Sequence, residues 1–326
     1  MKIVSLFSGC GGLDLGLTQA GHQIIWANDI FTDASATYRR NIGAHIDERD
    51  IKIIPSMEIP NCDVVVGGFP CQGFSVANMK RSVDDTRNQL YKEMVRVISD
   101  KKPKFFIGEN VKGMASLGGG FVLKKIIHDF ENMGYVVRWQ ILSAADYGVP
   151  QTRMRLIIFG IRNDISCPNL QFPPMPTHAN PEKAALLQMK PWKTVGEALS
   201  HFPEPELGKG IPNHECSKYK LSFNGHLGHR FIDPNKPSPT VTGRGDEKGG
   251  VVVLHHPGNH RRMTVRELAA VQSFPDNFIF EGTKTSAYRQ IANAVPPLLG
   301  KTIGFMLCEA KKAMLNNSIQ KIEQLA

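Results

Sequence analysis

Short apolar runs alternate with amphipathic stretches along the first 160 residues. The runs at 3–7, 24–27, 64–66, 105–107 and 156–161 are rich in Val, Ile and Phe and lack in–out alternation, the pattern of strands covered on both faces. Residues 13–20, 33–41, 90–99 and 122–132 carry helical spacing between them. Strand and helix repeated in this order predict an α/β fold, a mostly parallel sheet with helices on both faces.

From about residue 167 the texture changes. Thirteen of the 21 prolines and eight of the 11 histidines lie between residues 156 and 265, and turn pairs such as Pro173-Pro174, Asn224-Gly225, Asp233-Pro234 and Gly249-Gly250 recur. Such a segment reads as a smaller, loop-rich domain. Its Arg, His, Asn and Gly content between residues 224 and 262 favours a binding surface over an inert insertion. Helical spacing returns at 264–274, and a last helix is predicted at 297–312. The expected division is therefore 1–165, then 166–262, with 263–326 returning to the first domain.

Composition narrows the classes. With 41% hydrophobic and 21% charged residues over 326 positions, the chain is neither disordered nor a coiled coil. No window approaches 18 consecutive apolar residues, so no membrane span is expected. The apolar start is too short for a signal peptide and runs straight into glycines, which predicts a cytoplasmic protein. The six cysteines, at 10, 62, 71, 167, 216 and 308, show neither CxxC spacing nor a completing histidine set, so free thiols and no metal are expected. A net charge of +9 admits a polyanionic partner without singling one out.

Candidate chemistry sits where predicted strands end. The first run leads into Phe7-Ser8-Gly9-Cys10-Gly11-Gly12, and Asp29 follows Gly9 by 20 residues, the place where an acid meets a ribose in dinucleotide folds. The GxGxxG pattern is incomplete and no P-loop Lys-Ser or Lys-Thr pair follows. The loop suits an adenosine cofactor without pyrophosphate, such as S-adenosylmethionine, and equally a plain strand–helix turn. Cys71 stands behind a proline between glycines, at a strand end where open α/β sheets place active sites. Glu109 ends the next strand on the same edge. Gln151, Arg153 and Arg155 share a face under period-2 alternation, and two guanidiniums there could hold a carbonyl and a phosphate or pair with surface acids.

Taken together, these motifs resemble the DNA cytosine-5 methyltransferase family over nearly the whole chain. FSGCGGLDLG at 7–16, GGFPCQGFS at 67–75, ENV at 109–111, QTRMR at 151–155, RELAAVQSFPD at 266–276 and NAVP at 293–296 stand in the family's order and spacing. The resemblance implies a Rossmann-like, S-adenosylmethionine-dependent domain plus a target-recognition domain acting on a short double-stranded DNA sequence. C5 of cytosine is a weak nucleophile, and a thiolate added at C6 makes it an enamine carbon. By resemblance Cys71 is that nucleophile, Glu109 binds N3 and the exocyclic amine, and Arg153 and Arg155 hold O2 and the local backbone. The cofactor pocket is expected from Phe7, Gly9, Gly11, Gly12 and Leu13, with Asp29 on the ribose and Ile30 on the adenine. Asp50 and Ile51 would read the adenine edge, and Pro70, Leu90 and Asn293 would complete the pocket.

The target base must leave the duplex, and the loop at 72–81 is expected to close over it. Gln72, Ser75, Arg230, Thr240 and Arg244 are the candidate DNA contacts, the arginines reading guanine or holding phosphate. Two departures from the family pattern are Ala292 in place of a common Gly and Arg49 in place of another. The expected protein is a monomeric bacterial modification enzyme, whose cognate restriction endonuclease acts on the same site without being a bound subunit. Competing readings are an inert DNA-binding module, an RNA cytosine-5 methyltransferase and, from the glycine loop alone, a nicotinamide oxidoreductase.

Overall fold

The computed structural model describes residues 1–70, 89–216, 221, 223, 229–242 and 253–323. Cys71, Gln72, Ser75, Arg244 and the loop at 72–81 lie outside these described residues.

A seven-stranded sheet organises the molecule. Its elements are β1 Lys2–Leu6, α1 Gly12–Gln19, β2 Gln23–Asn28, α2 Thr32–Asn41, β3 Ile46–Asp47, β4 Val64–Gly67, α3 Gln89–Lys101, β5 Phe105–Val111, α4 Phe121–Asn132, β6 Tyr135–Ser143 and β7 Met154–Arg162. The strand order is β3-β2-β1-β4-β5-β7-β6. The pairs from β3 to β5 are parallel, whereas β7 runs antiparallel to both β5 and β6. All five predicted strand runs and four predicted helices are present. Two strands escaped the pattern. β3 has two residues, and edge strand β6 leaves Val136 and Trp139 exposed, so neither forms an apolar run.

Each central strand feeds two apolar layers by alternation. Ile3, Val64, Val66, Phe105, Ile107, Ile157 and Phe159 pack on one side with Leu17, Ile303 and Leu307. Val4, Leu6, Val65, Phe106, Leu156 and Ile158 pack on the other with Met94, Ile98, Ile126 and Phe130. Burying both faces is what removed the in–out signal from the sequence.

The chain continues through β8 His178–Ala179, α5 Pro181–Ala184, β9 Lys190–Pro191 and α6 Val195–Leu199, then α7 Val265–Val271, α8 Lys284–Asn293 and α9 Pro297–Glu323. The last helix runs past the predicted end at 312, because no Gly or Pro follows to stop it. One apolar cluster crosses residue 262, joining Val195, Ile232, Val241 and Leu254 to Leu268, Phe274 and Ile291. The stretch Lys284–Asn317 is long and apolar enough to cross a membrane by length and composition, with a mean hydropathy of 1.3, although it holds no unbroken apolar run. Within the fold, 61% of that window is buried, and α9 lies along α1. The helices approach so closely that a Cβ on Gly16 would stand 2.3 Å from the Pro297 carbonyl oxygen.

Beneath the glycine loop lies a buried polar network. Asp14, fully buried, accepts from Ser5 Oγ at 2.7 Å and from Tyr38 OH at 2.8 Å, and Tyr38 OH also meets His45 Nε2 at 3.2 Å. Burial outweighs both donors and pushes the Asp14 carboxyl up to about 6. The folded state therefore keeps a proton that the unfolded chain releases, and this stability is lost as pH rises from about 4 through about 6. Asp14→Asn is expected to be more stable than the native chain at pH 8, by about 3 kcal/mol, with the advantage shrinking toward pH 4. Denaturant melts of both chains across pH 4–8 check this, and a pH-independent difference would contradict it.

Candidate active site

Three loops leave the same edge of the sheet. Leu6, Gly67 and Gly108 are in register across β1, β4 and β5, so the glycine loop, the Pro-Cys loop and Glu109 emerge side by side. Arg155 joins them because β7 runs the other way and pairs it with Val111.

The glycine loop is a run of left-handed turns, with φ of 55° at Phe7, 55° at Gly9 and 87° at Gly11. Gly9 donates its N–H to Asp29 Oδ2 at 2.8 Å, and Phe31 N–H donates to Oδ1 at 2.9 Å. Asp29 is 8% exposed, and burial raises its carboxyl while these two donors pull it down. Each oxygen keeps a further lone pair for a hydroxyl. Among the described residues, nothing lies within 4 Å of the position a Gly9 Cβ would take, which leaves space above the turn. By contrast, a Cβ on Gly12 would stand 2.3 Å from the Val295 carbonyl oxygen, and Leu13 is buried beside it.

Ile30 and Phe31 present exposed apolar surface just past β2. Asn28, which sequence reasoning missed, donates to the carbonyls of Asp47 and Arg49 at 2.9 Å each and so fixes the approach to Asp50. The Asp50 carboxylate caps the turn at Ile51–Ile53 through Lys52 N–H. Ile51 is buried in the core, and its carbonyl accepts from Arg96 at 2.9 Å. Arg49 is held between Asp47 and Glu58, each at 2.7 Å, which keeps its bulk away from the turn. Pro70 is exposed, Leu90 is half-buried, and Asn293 is exposed as the last residue of α8.

At the centre, Glu109 Oε1 pairs with Arg155 Nε at 2.7 Å, both side chains being 10% exposed. Burial raises the Glu109 carboxyl, and Arg155 and then Arg153 oppose the rise. A Cβ on Gly68 would stand 3.0 Å from Glu109 Oε2, so the backbone just past β4 lies against the carboxylate. Asn110, also missed, donates to the Phe69 carbonyl at 2.8 Å and anchors that loop. Burial pushes the Cys10 and Cys62 thiols up to about 12, so neither is ionised near neutral pH.

Of the two tasks expected of the arginine pair, Arg153 is placed for holding the local backbone. Arg153 is wholly buried and donates to the carbonyls of Val241 at 2.8 Å, Ala292 at 2.6 Å and Ala294 at 3.1 Å. It precedes β7, which begins at Met154, and it stays within electrostatic reach of Glu109 and Arg155. Gln151 is equally buried: its Oε1 accepts from Val241 N–H at 3.0 Å, and its Nε2 donates to Gln272. Ala292, the departure from Gly, contributes its carbonyl to Arg153. Thr240 donates through Oγ1 to the Thr152 carbonyl. Arg230 lies on the surface beside Phe231, which stacks on Phe223 at 4.4 Å.

The chain is similar to known proteins over nearly its whole length. The model of the C-5 cytosine-specific DNA methylase family matches residues 1–308. The Type II methyltransferase M.NgoFVII of Neisseria gonorrhoeae is 40% identical over 91% of this chain and 83% of its own length. M.BsuRI of Bacillus subtilis is 36% identical over 93% and 78%. Among solved structures, a candidate DNA modification methyltransferase from an E. coli prophage superposes with a TM-score of 0.74 at 26% identity, covering 97% of this chain and 99% of that one. S. pombe Dnmt2, at 20% identity, shares the fold with a TM-score of 0.67 over 94% and 98%. The chain thus belongs to the C-5 cytosine-specific DNA methylase family and is a cytosine-5 DNA methyltransferase of the Type II, restriction–modification kind.

Proposed function

We propose that the enzyme transfers a methyl group from S-adenosylmethionine to C5 of a cytosine flipped out of a short, specific double-stranded DNA sequence, through a covalent Cys71–C6 adduct. The observation that carries this reading is the buried Glu109–Arg155 pair beside Gly68, three residues before Cys71 in sequence. A cytosine beside it meets a carboxyl for N3 and the exocyclic amine, and a guanidinium for O2.

The glycine-loop residues fit the cofactor. Open space above Gly9, spare lone pairs on Asp29 and the exposed apolar face of Ile30 suit an amino-acid tail, a ribose and an adenine. Phe7, Gly11, Gly12, Leu13, Asp50, Ile51, Pro70, Leu90 and Asn293 would line the rest. When bound, S-adenosylmethionine supplies the electrophilic methyl group.

The chain's own residues do the remainder. Cys71 thiolate adds to C6 while Glu109, its carboxyl raised by burial, shares a proton with N3, so the ring electrons collect at C5. After methylation a base, which can be water, removes the C5 proton, the C6–S bond breaks, and the thiolate leaves. Residues 166–262 form the target-recognition region in this reading. Arg230, Thr240 and Arg244 serve there as DNA contacts, while Gln72 and Ser75 follow the nucleophile. The enzyme works as a monomer, and its endonuclease is a separate protein.

Bisulfite sequencing of DNA from a bacterial host that lacks cytosine methylation, after expression of this chain, is expected to show protected cytosines confined to one short motif. Purified enzyme given S-adenosylmethionine is expected to form a denaturation-resistant adduct with a duplex carrying 5-fluorocytosine at that position, since after methyl transfer fluorine cannot leave C5 as a proton does. Cys71→Ala should lose both signals. Protection that survives in Cys71→Ala contradicts the adduct, and methylation of RNA in place of DNA contradicts the substrate.

A further inference from the structure

Two buried side-chain amides run between the target-recognition region and the cofactor loop. The Val241 N–H donates to Gln151 Oε1 at 3.0 Å, Gln151 Nε2 donates to Gln272 Oε1, and Gln272 Nε2 donates to the Ala294 carbonyl at 2.7 Å. Both glutamines are 0% exposed. The same ends are joined a second time, because Arg153 donates to the carbonyls of Val241, Ala292 and Ala294. At one end, Thr240 is bonded to the Thr152 carbonyl, one residue before Arg153 and three before Arg155. At the other, Ala294 is flanked by Asn293 and by Val295, whose carbonyl packs so tightly on Gly12 that no Cβ fits. The two amides have one consistent donor direction along the chain, and a buried network of this kind has few alternative arrangements.

We propose that Gln272 is a positioning residue. Through Gln151 and the Val241 backbone it couples the placement of Thr240 on DNA to the shape of the cofactor pocket, so that each ligand tightens the binding of the other. The inference rests on the cofactor reading above. In this reading Gln272 touches neither ligand. Without it the Ala294 carbonyl keeps its bond from Arg153 at 3.1 Å and Gln151 Nε2 keeps the Val271 carbonyl at 3.4 Å, so Gln272→Met removes the relay while each neighbour retains a partner. Gln272→Glu is the second variant. It still accepts from Gln151 but sets a carboxylate oxygen against the Ala294 carbonyl.

The test is calorimetric titration of S-adenosylhomocysteine into the full chain, with and without a duplex carrying the motif found by bisulfite sequencing. The native chain is expected to gain about fivefold or more in affinity when the duplex is present. Gln272→Met should bind S-adenosylhomocysteine alone within about twofold of the native chain and gain less than about twofold from the duplex. Gln272→Glu should also lose the gain at pH 8 and recover it at lower pH, where a protonated carboxyl again donates to Ala294. Coupling that persists in both variants overturns the inference, as does an equal loss of affinity with and without DNA. A native chain that binds S-adenosylhomocysteine and DNA without coupling overturns it too. A native chain that binds no S-adenosylhomocysteine overturns the cofactor reading instead.

Discussion

Glu109→Gln is expected to lower kcat by about 10²–10⁴-fold, the range a positioned proton-transfer group contributes, while the protein stays folded. The carboxyl is held at one place by three neighbours. Arg155 Nε lies 2.7 Å from Oε1, Gly68 closes over Oε2, and the next residue, Asn110, ties down the Phe69 carbonyl. Glutamine keeps the volume and one acceptor for Arg155. It cannot share a proton with N3, so the ring reaches the adduct without relief of its developing charge. Burial raises the Glu109 carboxyl, which means the ionised form is costly in the fold, and the amide removes that cost as it removes the ion pair. The thermal midpoint should therefore shift little. Single-turnover rates and melting curves on one preparation separate the effects. A rate within about threefold of the native enzyme would remove Glu109 from the chemistry.

Much of this arrangement is legible in the sequence because strand ends carry it. The runs at 64–66 and 105–107 place Gly67 and Gly108 at neighbouring strand ends, and the observed register joins them. From there Glu109 and the Pro-Cys loop follow by counting. What the sequence hides is what depends on non-local pairing. β7 reads as one more buried strand, since an apolar run looks the same in either direction, yet it enters antiparallel between β5 and β6. Asn28 and Asn110 are short polar residues with no periodic signature. Their roles exist only because the carbonyls of Asp47, Arg49 and Phe69 come within reach once the sheet forms. Gln272 lies in a helical stretch whose apolar spacing explains the helix without it. The partners of Arg153 are hidden for the same reason: the carbonyls of Val241, Ala292 and Ala294 reach it only once distant segments come together.

These partners set up the second large effect, in which two arginines of one motif fail in different ways. Arg153→Met is expected to destabilise the fold by about 3 kcal/mol, the scale of leaving buried acceptors unpaired. The carbonyls of Val241 and Ala292 lose the donor at 2.8 Å and 2.6 Å, while Ala294 retains Gln272. Burial also pulls the Arg153 pKa well below its ordinary value, so the native guanidinium is strained by desolvation and methionine recovers part of the loss. For a chain of this size the thermal midpoint should fall by about 4 °C. Arg155→Met should melt nearer the native temperature, because Glu109 can take up a proton when its partner is gone, and should lose activity instead. Lysine does not rescue Arg153, since one ammonium on a flexible stem cannot reach carbonyls from two separate segments as a planar fork does. If Arg153→Met melts with the native chain and instead weakens DNA binding with a shallower salt dependence, its guanidinium is a phosphate contact and the clamp is not what holds these segments together.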